Sequence, residues 1–214
     1  METLKKAVGL PNRPGGFIIT DKAISLCSFP AKAKILDLGC GSGATLQYLK
    51  RKYGLDVIGM DSNPEFANHP NNIVKASAED IPLLSSTMDG VIMECSLSVM
   101  DDTEKVLQEC HRILKPGGRL IVSDMIAHGE AAQLKGCLGN IVTKEELITL
   151  IEKNNFTVEY FEDFSHHLQT MWGQMIFDKG AESFYSELGV CAEIFKRIKC
   201  GYCLIVATKN EQTP

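Results

Sequence analysis

Three glycines at alternate positions, Gly39, Gly41 and Gly43, follow an acid, Asp37, in the run KILDLGCGSGATLQYL. Glycine has no Cβ, so a ligand can approach such a turn closely, and a helix beginning there offers unpaired N–H groups. The stretch from Gly39 to Ala44 fits the dinucleotide pattern G-x-G-x-x-G/A, so a nicotinamide or flavin enzyme is one reading. The surrounding acids point elsewhere. Asp37 stands two residues before Gly39, where a carboxylate repels a pyrophosphate but attracts a cationic ligand, directly or through water. Asp61 closes the apolar run DVIGMD and can accept hydrogen bonds from two ribose hydroxyls, which suits NAD and an adenosine-bearing sulfonium equally. Glu79 and Asp80, in SAEDIPL, stand where an adenine edge would lie, although a turn before Pro82 also accounts for Asp80. A dinucleotide enzyme needs space for a catalytic domain as well, and 214 residues scarcely supply it.

Strands and helices must hold these side chains in place. KILDL reads as a strand, and SGATLQYLKRKYG as a helix with Leu46, Leu49 and Tyr53 at helical spacing and a stop at Gly54. DVIGMD, NIVKA and MDGVIMEC read as further strands, with a short helix near PEFAN. DTEKVLQECHRILK is amphipathic, with Val106, Leu107, Cys110, Ile113 and Leu114 on one side, and a KPGG turn leads from it into the strand RLIVSDM. This alternation predicts a parallel sheet with helices on both faces. Ahead of it, residues 1–16 form an irregular arm ending in PNRPGG, and FIITDKAISLC is a helix entered through Thr20 and Asp21. Beyond Met125, IAHGEAAQLKGCLGN is a glycine-punctuated, lid-like segment, and TKEELITLIEKNN is a helix capped by Thr143 with Glu146 three positions on. FTVEYFED is a strand, a helical stretch covers 165–199, and GYCLIVATK is the last strand. No linker, repeat or low-complexity tract divides the chain, so a single domain is expected over 1–214.

The composition narrows the function classes. Net charge is -5 with acids and bases intermixed, so no electrostatic footprint for nucleic acid is present. No window approaches the roughly 18 apolar residues of a membrane span, and the opening METLKKAVGLPNRPGG lacks the apolar core of a secretion signal. A cytoplasmic protein that binds no membrane, as monomer or homodimer, is expected. The eight cysteines are then expected as free thiols, mostly small buried hydrophobes.

Taken in order, ILDLGCGSG, IGMDSN, SAEDIPL, DGVIMECSLSVM and LKPGGRLIVSD resemble the class I S-adenosylmethionine-dependent methyltransferases, over roughly residues 17–125. The resemblance implies a Rossmann-like seven-stranded α/β sheet, mostly parallel, with helices on both faces and its last strand antiparallel. It implies S-adenosyl-L-methionine as cofactor and methyl transfer to a small-molecule acceptor. Residue by residue, Gly39, Gly41 and Gly43, with the small Cys40 between them, would cradle the methionine part, and Asp37 would help hold its amino end. Asp61 and Ser62 would meet the ribose, and Ala78, Glu79 and Asp80 the adenine. Glu94 and Cys95 would close the pocket beside the sulfonium. RPGGFIIT, with Gly16 and Thr20, would fold over the cofactor. On this plan 1–30 is an arm and helix lid, 31–125 the cofactor-binding core and 126–214 the substrate side.

Methyl transfer from a sulfonium is an in-line displacement on an activated carbon, so alignment and exclusion of water suffice when the acceptor is already nucleophilic. Catalytic candidates are therefore few: Glu94, Cys95 and Cys137. SDMIAHGEAAQLKGCLGNIVTKEELITLIEKNNF and CGYCLIVATK are similar to stretches of arsenite methyltransferases, which implies Cys137 with Cys200 or Cys203 as ligands of a trivalent metalloid. The chain departs from that family before its first helix, where PGGF stands in place of a cysteine. Spacing bears on the pair independently: residues three apart in a strand point to opposite faces, so Cys200 and Cys203 converge only if Gly201 and Tyr202 form a turn. His166 and His167 are read as solvated, and no resident metal is expected. A non-catalytic cofactor- or metalloid-binding module is the rival reading.

Overall fold

The computed structural model describes residues 13–66, 73–134, 136 and 138–210. Helix α1 (Phe17–Cys27) precedes β1 (Lys34–Leu38), α2 (Ala44–Tyr53) and β2 (Asp56–Asp61), and a 3-10 turn (Pro64–Phe66) leads to β3 (Val74–Lys75). Then come β4 (Met88–Glu94), a 3-10 turn (Leu97–Val99), α3 (Thr103–Ile113) and β5 (Leu114–Ala127). A small hairpin, β6 (Ala132–Gln133) and β7 (Asn140–Ile141), leads to α4 (Lys144–Lys153) and β8 (Phe156–Asp163). Helices α5 (Ser165–Lys179), α6 (Ala181–Leu188) and α7 (Ala192–Ile198) separate β8 from β9 (Cys200–Lys209).

The main sheet has seven strands in the order β3-β2-β1-β4-β5-β9-β8. β1, β2, β3, β4 and β5 pair in parallel, and β9 runs antiparallel to both β5 and β8. The expected mostly parallel sheet with an antiparallel last strand is therefore what the chain forms. β1 and β4 lie side by side while the chain leaves them toward opposite edges, so a crevice opens beyond their carboxyl ends, the usual ligand position in such sheets.

Alternation sorts each strand onto two cores. On β9, Tyr202, Leu204 and Val206 join Ile35, Ile92, Leu46, Ile19, Trp172 and Phe184 on one face, whereas Cys203, Ile205 and Ala207 join Val91, Val106, Cys110 and Phe156 on the other. α1, α2 and the helices between β8 and β9 cover the first face, and α3 and α4 cover the second. The capping box on α4 forms as read, with Thr143 and Glu146 bonding each other's backbone N–H groups.

Four local expectations are revised. α1 starts at Gly16 rather than at Thr20 and Asp21, because those two side chains are drawn to tertiary partners: Thr20 to Glu94, and Asp21 to Tyr48, Tyr53 and Lys52. KPGG is an irregularity inside β5 rather than a turn before it, and the register against β4 jumps from Met88↔Leu114 to Gly90↔Arg119 around it. The third strand shrinks to Val74–Lys75 at the sheet edge. The segment after Met125 extends β5 by two residues and then folds into the hairpin, held where Leu134 N–H bonds the Gly139 carbonyl at 2.7 Å. No helix among the described residues is long and apolar enough to cross a membrane.

Candidate functional site

The glycine turn is fastened to β2 by three backbone donors. Gly39 and Cys40 N–H both bond the Met60 carbonyl, at 2.8 and 3.1 Å, and Gly41 N–H donates to Asp61 Oδ2 at 2.8 Å. Gly39 has φ 75, and a Cβ there would lie 2.5 Å from Cβ of Ser96, so both conformation and space demand glycine. Gly41 differs: a Cβ on it would meet nothing within 4 Å, so its open side faces a cavity rather than packed protein. Gly43, at φ 79, caps α2 and closes the turn by donating to the Cys40 carbonyl. The Cys40 thiol packs against Gly59, and burial raises its pKa.

A cavity of about 200 Å³ lies over this turn, lined by Arg13, Asp37, Gly41, Thr45, Glu94 and Cys95 among others. Glu94, at the end of β4, accepts from Thr20 Oγ1 at 2.7 Å and Thr45 Oγ1 at 2.8 Å, and pairs with Arg13 Nη2 at 2.6 Å. Arg13 also donates to both threonine hydroxyls. Of the three buried side-chain polar atoms without a partner among the described residues, two belong to the lining of this cavity, Asp37 Oδ2 and Arg13 Nε; the third is His111 Nε2 on α3. Burial, then the nearby Glu94 charge, raises the Asp37 pKa to about 8, with Arg13 pulling the other way. An unpaired acceptor and an unpaired donor on two residues that line one cavity suit a ligand with both an ammonium and a carboxylate.

A second cavity, about 380 Å³, continues on the other side of Gly39, lined by Asp61, Ser62, Ala78, Glu79, Val99 and Met100 among others. Asp61 is oriented by two backbone donors, Gly41 N–H on Oδ2 and Asn63 N–H at 2.9 Å on Oδ1. A carboxylate has about four acceptor sites, so hydroxyls can still be accommodated. Glu79 bonds Ser77, which holds its pKa low. Asp80 does not join this lining: it is exposed, its charge acts on Arg112, and its N–H closes a turn onto the Ser77 carbonyl. A turn before Pro82 is present, closed by the Asp80 backbone N–H.

Cys95 lines both cavities and marks their junction. It holds φ 54, rare for a residue with a side chain, and its Sγ lies 3.1 Å from the buried Tyr202 hydroxyl, which also bonds Ser123. Burial pushes the Cys95 thiol up to about 12, so it is no thiolate near neutrality. Gly16 and Thr20 line neither cavity; Gly16 caps α1, and Thr20 acts by steadying Glu94 and Arg13.

Cys137 lies outside the described residues. Cys200 and Cys203 both belong to β9 without a turn between them, and they reach opposite cores, so they do not converge. Among the described residues no group of three His, Cys, Asp or Glu side chains is placed to hold a metal ion. His128 instead bonds Ser165 and Asp163, away from both cavities.

Arg13 is the residue that sequence reading missed. It sits in the aperiodic PNRPGG arm, and only the fold brings it to Glu94. Thr45, in the first turn of α2, was also missed; its position right after the glycine turn was the available signal.

The fold recurs among proteins of known structure. The structure superposes with a TM-score of 0.74 on a geranyl diphosphate C-methyltransferase of Streptomyces coelicolor A3(2), crystallised with S-adenosyl-L-homocysteine, over 88% of this chain and 78% of that one, at 16% sequence identity. The two chains thus share the Rossmann-like methyltransferase fold. Residues 36–122 match the family profile described as a methyltransferase domain. An arsenite methyltransferase of Halobacterium salinarum is 26% identical over 57% of this chain, and a sarcosine/dimethylglycine N-methyltransferase of Halorhodospira halochloris is 26% identical over 78% of it. The matched regions span 37% and 67% of those relatives' lengths.

Proposed function

We propose that the chain transfers a methyl group from S-adenosyl-L-methionine to a small-molecule acceptor by in-line displacement. The observation that carries this reading is the pair of unsatisfied atoms, Asp37 Oδ2 and Arg13 Nε, over an open glycine turn whose other side leads to Asp61 and Glu79. Asp37 takes the cofactor's ammonium and Arg13 its carboxylate. Asp61, with Ser62 beside it, takes the ribose hydroxyls, and Ala78 and Glu79 flank the adenine. When bound, S-adenosylmethionine supplies an electrophilic methyl group on its sulfonium. The remaining work falls to the chain: Cys95, held by Tyr202, walls the junction of the two cavities, and α1 with Arg13 closes the site to water. No general base is required for an acceptor that is already nucleophilic.

The substrate side lies over the core face that carries Cys95, Met125, Tyr202, Leu168 and Trp172, which suits an organic acceptor with apolar surface. The division into arm and helix lid (1–30), cofactor core (31–125) and substrate side (126–214) belongs to the same proposal. Incubation with labelled donor and a panel of amines, phenols, quinols and thiols tests it. Transfer to one class is the expected result; cofactor binding without transfer to any acceptor favours the binding-module reading.

A metalloid acceptor is the second reading, supported by the similarity to an arsenite methyltransferase. The opposite facing of Cys200 and Cys203 argues against those two as a pair, and the full burial of Cys203 favours Cys200 as the partner of Cys137. Arsenite turnover that survives Cys137→Ser excludes it.

A further inference from the structure

Two carboxylates and one guanidinium face the cavity above the glycine turn, and they are not equally served. Glu94 takes Arg13 at 2.6 Å and two threonine hydroxyls besides. Asp37 is only 3% exposed and leaves Oδ2 without a partner among the described residues. The charged or titratable groups around Asp37 are Arg13 from the arm, Glu94 from β4, Asp61 from β2 and the Cys40 thiol of the turn. Thr20 on α1 and Thr45 on α2 carry no charge. An ionised Asp37 would therefore sit buried between two anions, beside a cation already committed to one of them, and burying an unpaired carboxylate is strongly unfavourable.

Resting on the S-adenosylmethionine reading, we propose that Asp37 is protonated while the site holds no cofactor and releases its proton when the cofactor's ammonium group arrives. The O–H bond of the carboxyl breaks, the proton leaves to solvent, and the freed oxygen accepts an N–H from the ammonium, which keeps its charge. The pKa of Asp37, raised to about 8 mainly by burial, agrees with the geometry. Binding then favours the deprotonated protein. Affinity rises about tenfold per pH unit below about pH 7 and levels off above about pH 8.

Titration calorimetry in buffers of differing ionisation enthalpy counts the proton. With S-adenosylhomocysteine, which cannot turn over, about one proton should be released at about pH 6.5 and almost none at about pH 9. 5′-Methylthioadenosine lacks the amino acid end and should release none. Asp37→Asn should bind S-adenosylhomocysteine without proton release. A buffer-independent heat for S-adenosylhomocysteine at the lower pH overturns the proposal and leaves the cofactor reading standing. Equal release with 5′-methylthioadenosine, or undiminished release by the variant, assigns the proton to another group and also overturns it. If the wild-type protein binds neither ligand, the cofactor reading falls with it. Should Asp37→Asn bind too weakly to titrate, the two ligands and the pH series on the wild-type protein still decide.

Discussion

The glycine-turn side of this molecule and the helices between β8 and β9, its proposed cofactor and substrate sides, are built on opposite principles. Around the glycine turn, Glu94 and Arg13 are set by hydrogen bonds of 2.6 to 3.0 Å beside the unpaired Asp37, and glycines at positive φ shape the backbone. In the helices between β8 and β9, order comes from aromatic packing: Trp172, Phe184 and Phe195 meet at centroid distances of 4.9 to 5.9 Å. A polar site needs particular atoms at particular points, so few residue types serve; an apolar core needs volume and shape, so many do. One cofactor can therefore be read by short motifs, while the acceptor is left to side chains that are free to vary.

Substitutions on each side should break in different ways. Gly39→Val, which places a branched side chain where even a Cβ meets Ser96, should lower S-adenosylhomocysteine affinity at least about a hundredfold by calorimetry, roughly 3 kcal/mol. Near-normal binding would mean that the turn is less constrained than its geometry. Trp172→Ala should cost about 3 kcal/mol of stability in urea unfolding, yet leave the affinity of the folded protein for S-adenosylhomocysteine within about threefold. A parallel loss of cofactor affinity would erase the contrast between the two sides. Asp61→Ala, which removes the proposed acceptor for the ribose, should weaken cofactor binding by about tenfold or more, and unchanged calorimetric affinity would remove Asp61 from the site.

The smallest effect sharpens the electrostatic half of the comparison. The folded pKa of Asp37 is raised to about 8, above an unfolded value of about 3.9. The folded state thus binds the extra proton between those limits, and stability of the cofactor-free protein falls as pH rises from about 4 toward about 8. Asp37→Asn escapes this loss. Its melting temperature should pull ahead of the wild type between about pH 5 and pH 8.5, by about 2–4 °C for each kcal/mol relieved. Parallel melting curves across that range would mean that Asp37 is not buried as a neutral acid.

How much could be read in advance followed from how local each signal is. Asp37 and Asp61 were legible because each ends an apolar run next to a turn that the same few residues specify. The face of Cys203 followed from strand alternation alone. Asp80 was less legible than its neighbour Glu79, since the turn that separates their directions depends on Ser77 and on Arg112 from α3. KPGG has turn chemistry, but the pairing of β4 with β5 and β9 with β5 draws it into the strand as an irregularity. Thr20 and Asp21 are good caps in isolation, and lost that role to Glu94 and to the Tyr48, Tyr53 and Lys52 group.

The sequence by itself determined the alternating α/β order, the parallel sheet, the glycine turn and the acids at two strand ends, because periodicity and turn chemistry act over a handful of neighbouring residues. Only the tertiary structure decided that Arg13 would serve Glu94 and leave Asp37 unpaired. That outcome depends on a buried charge balance among the arm, β1 and β4, groups far apart in the chain whose interaction exists only once water has been excluded between them.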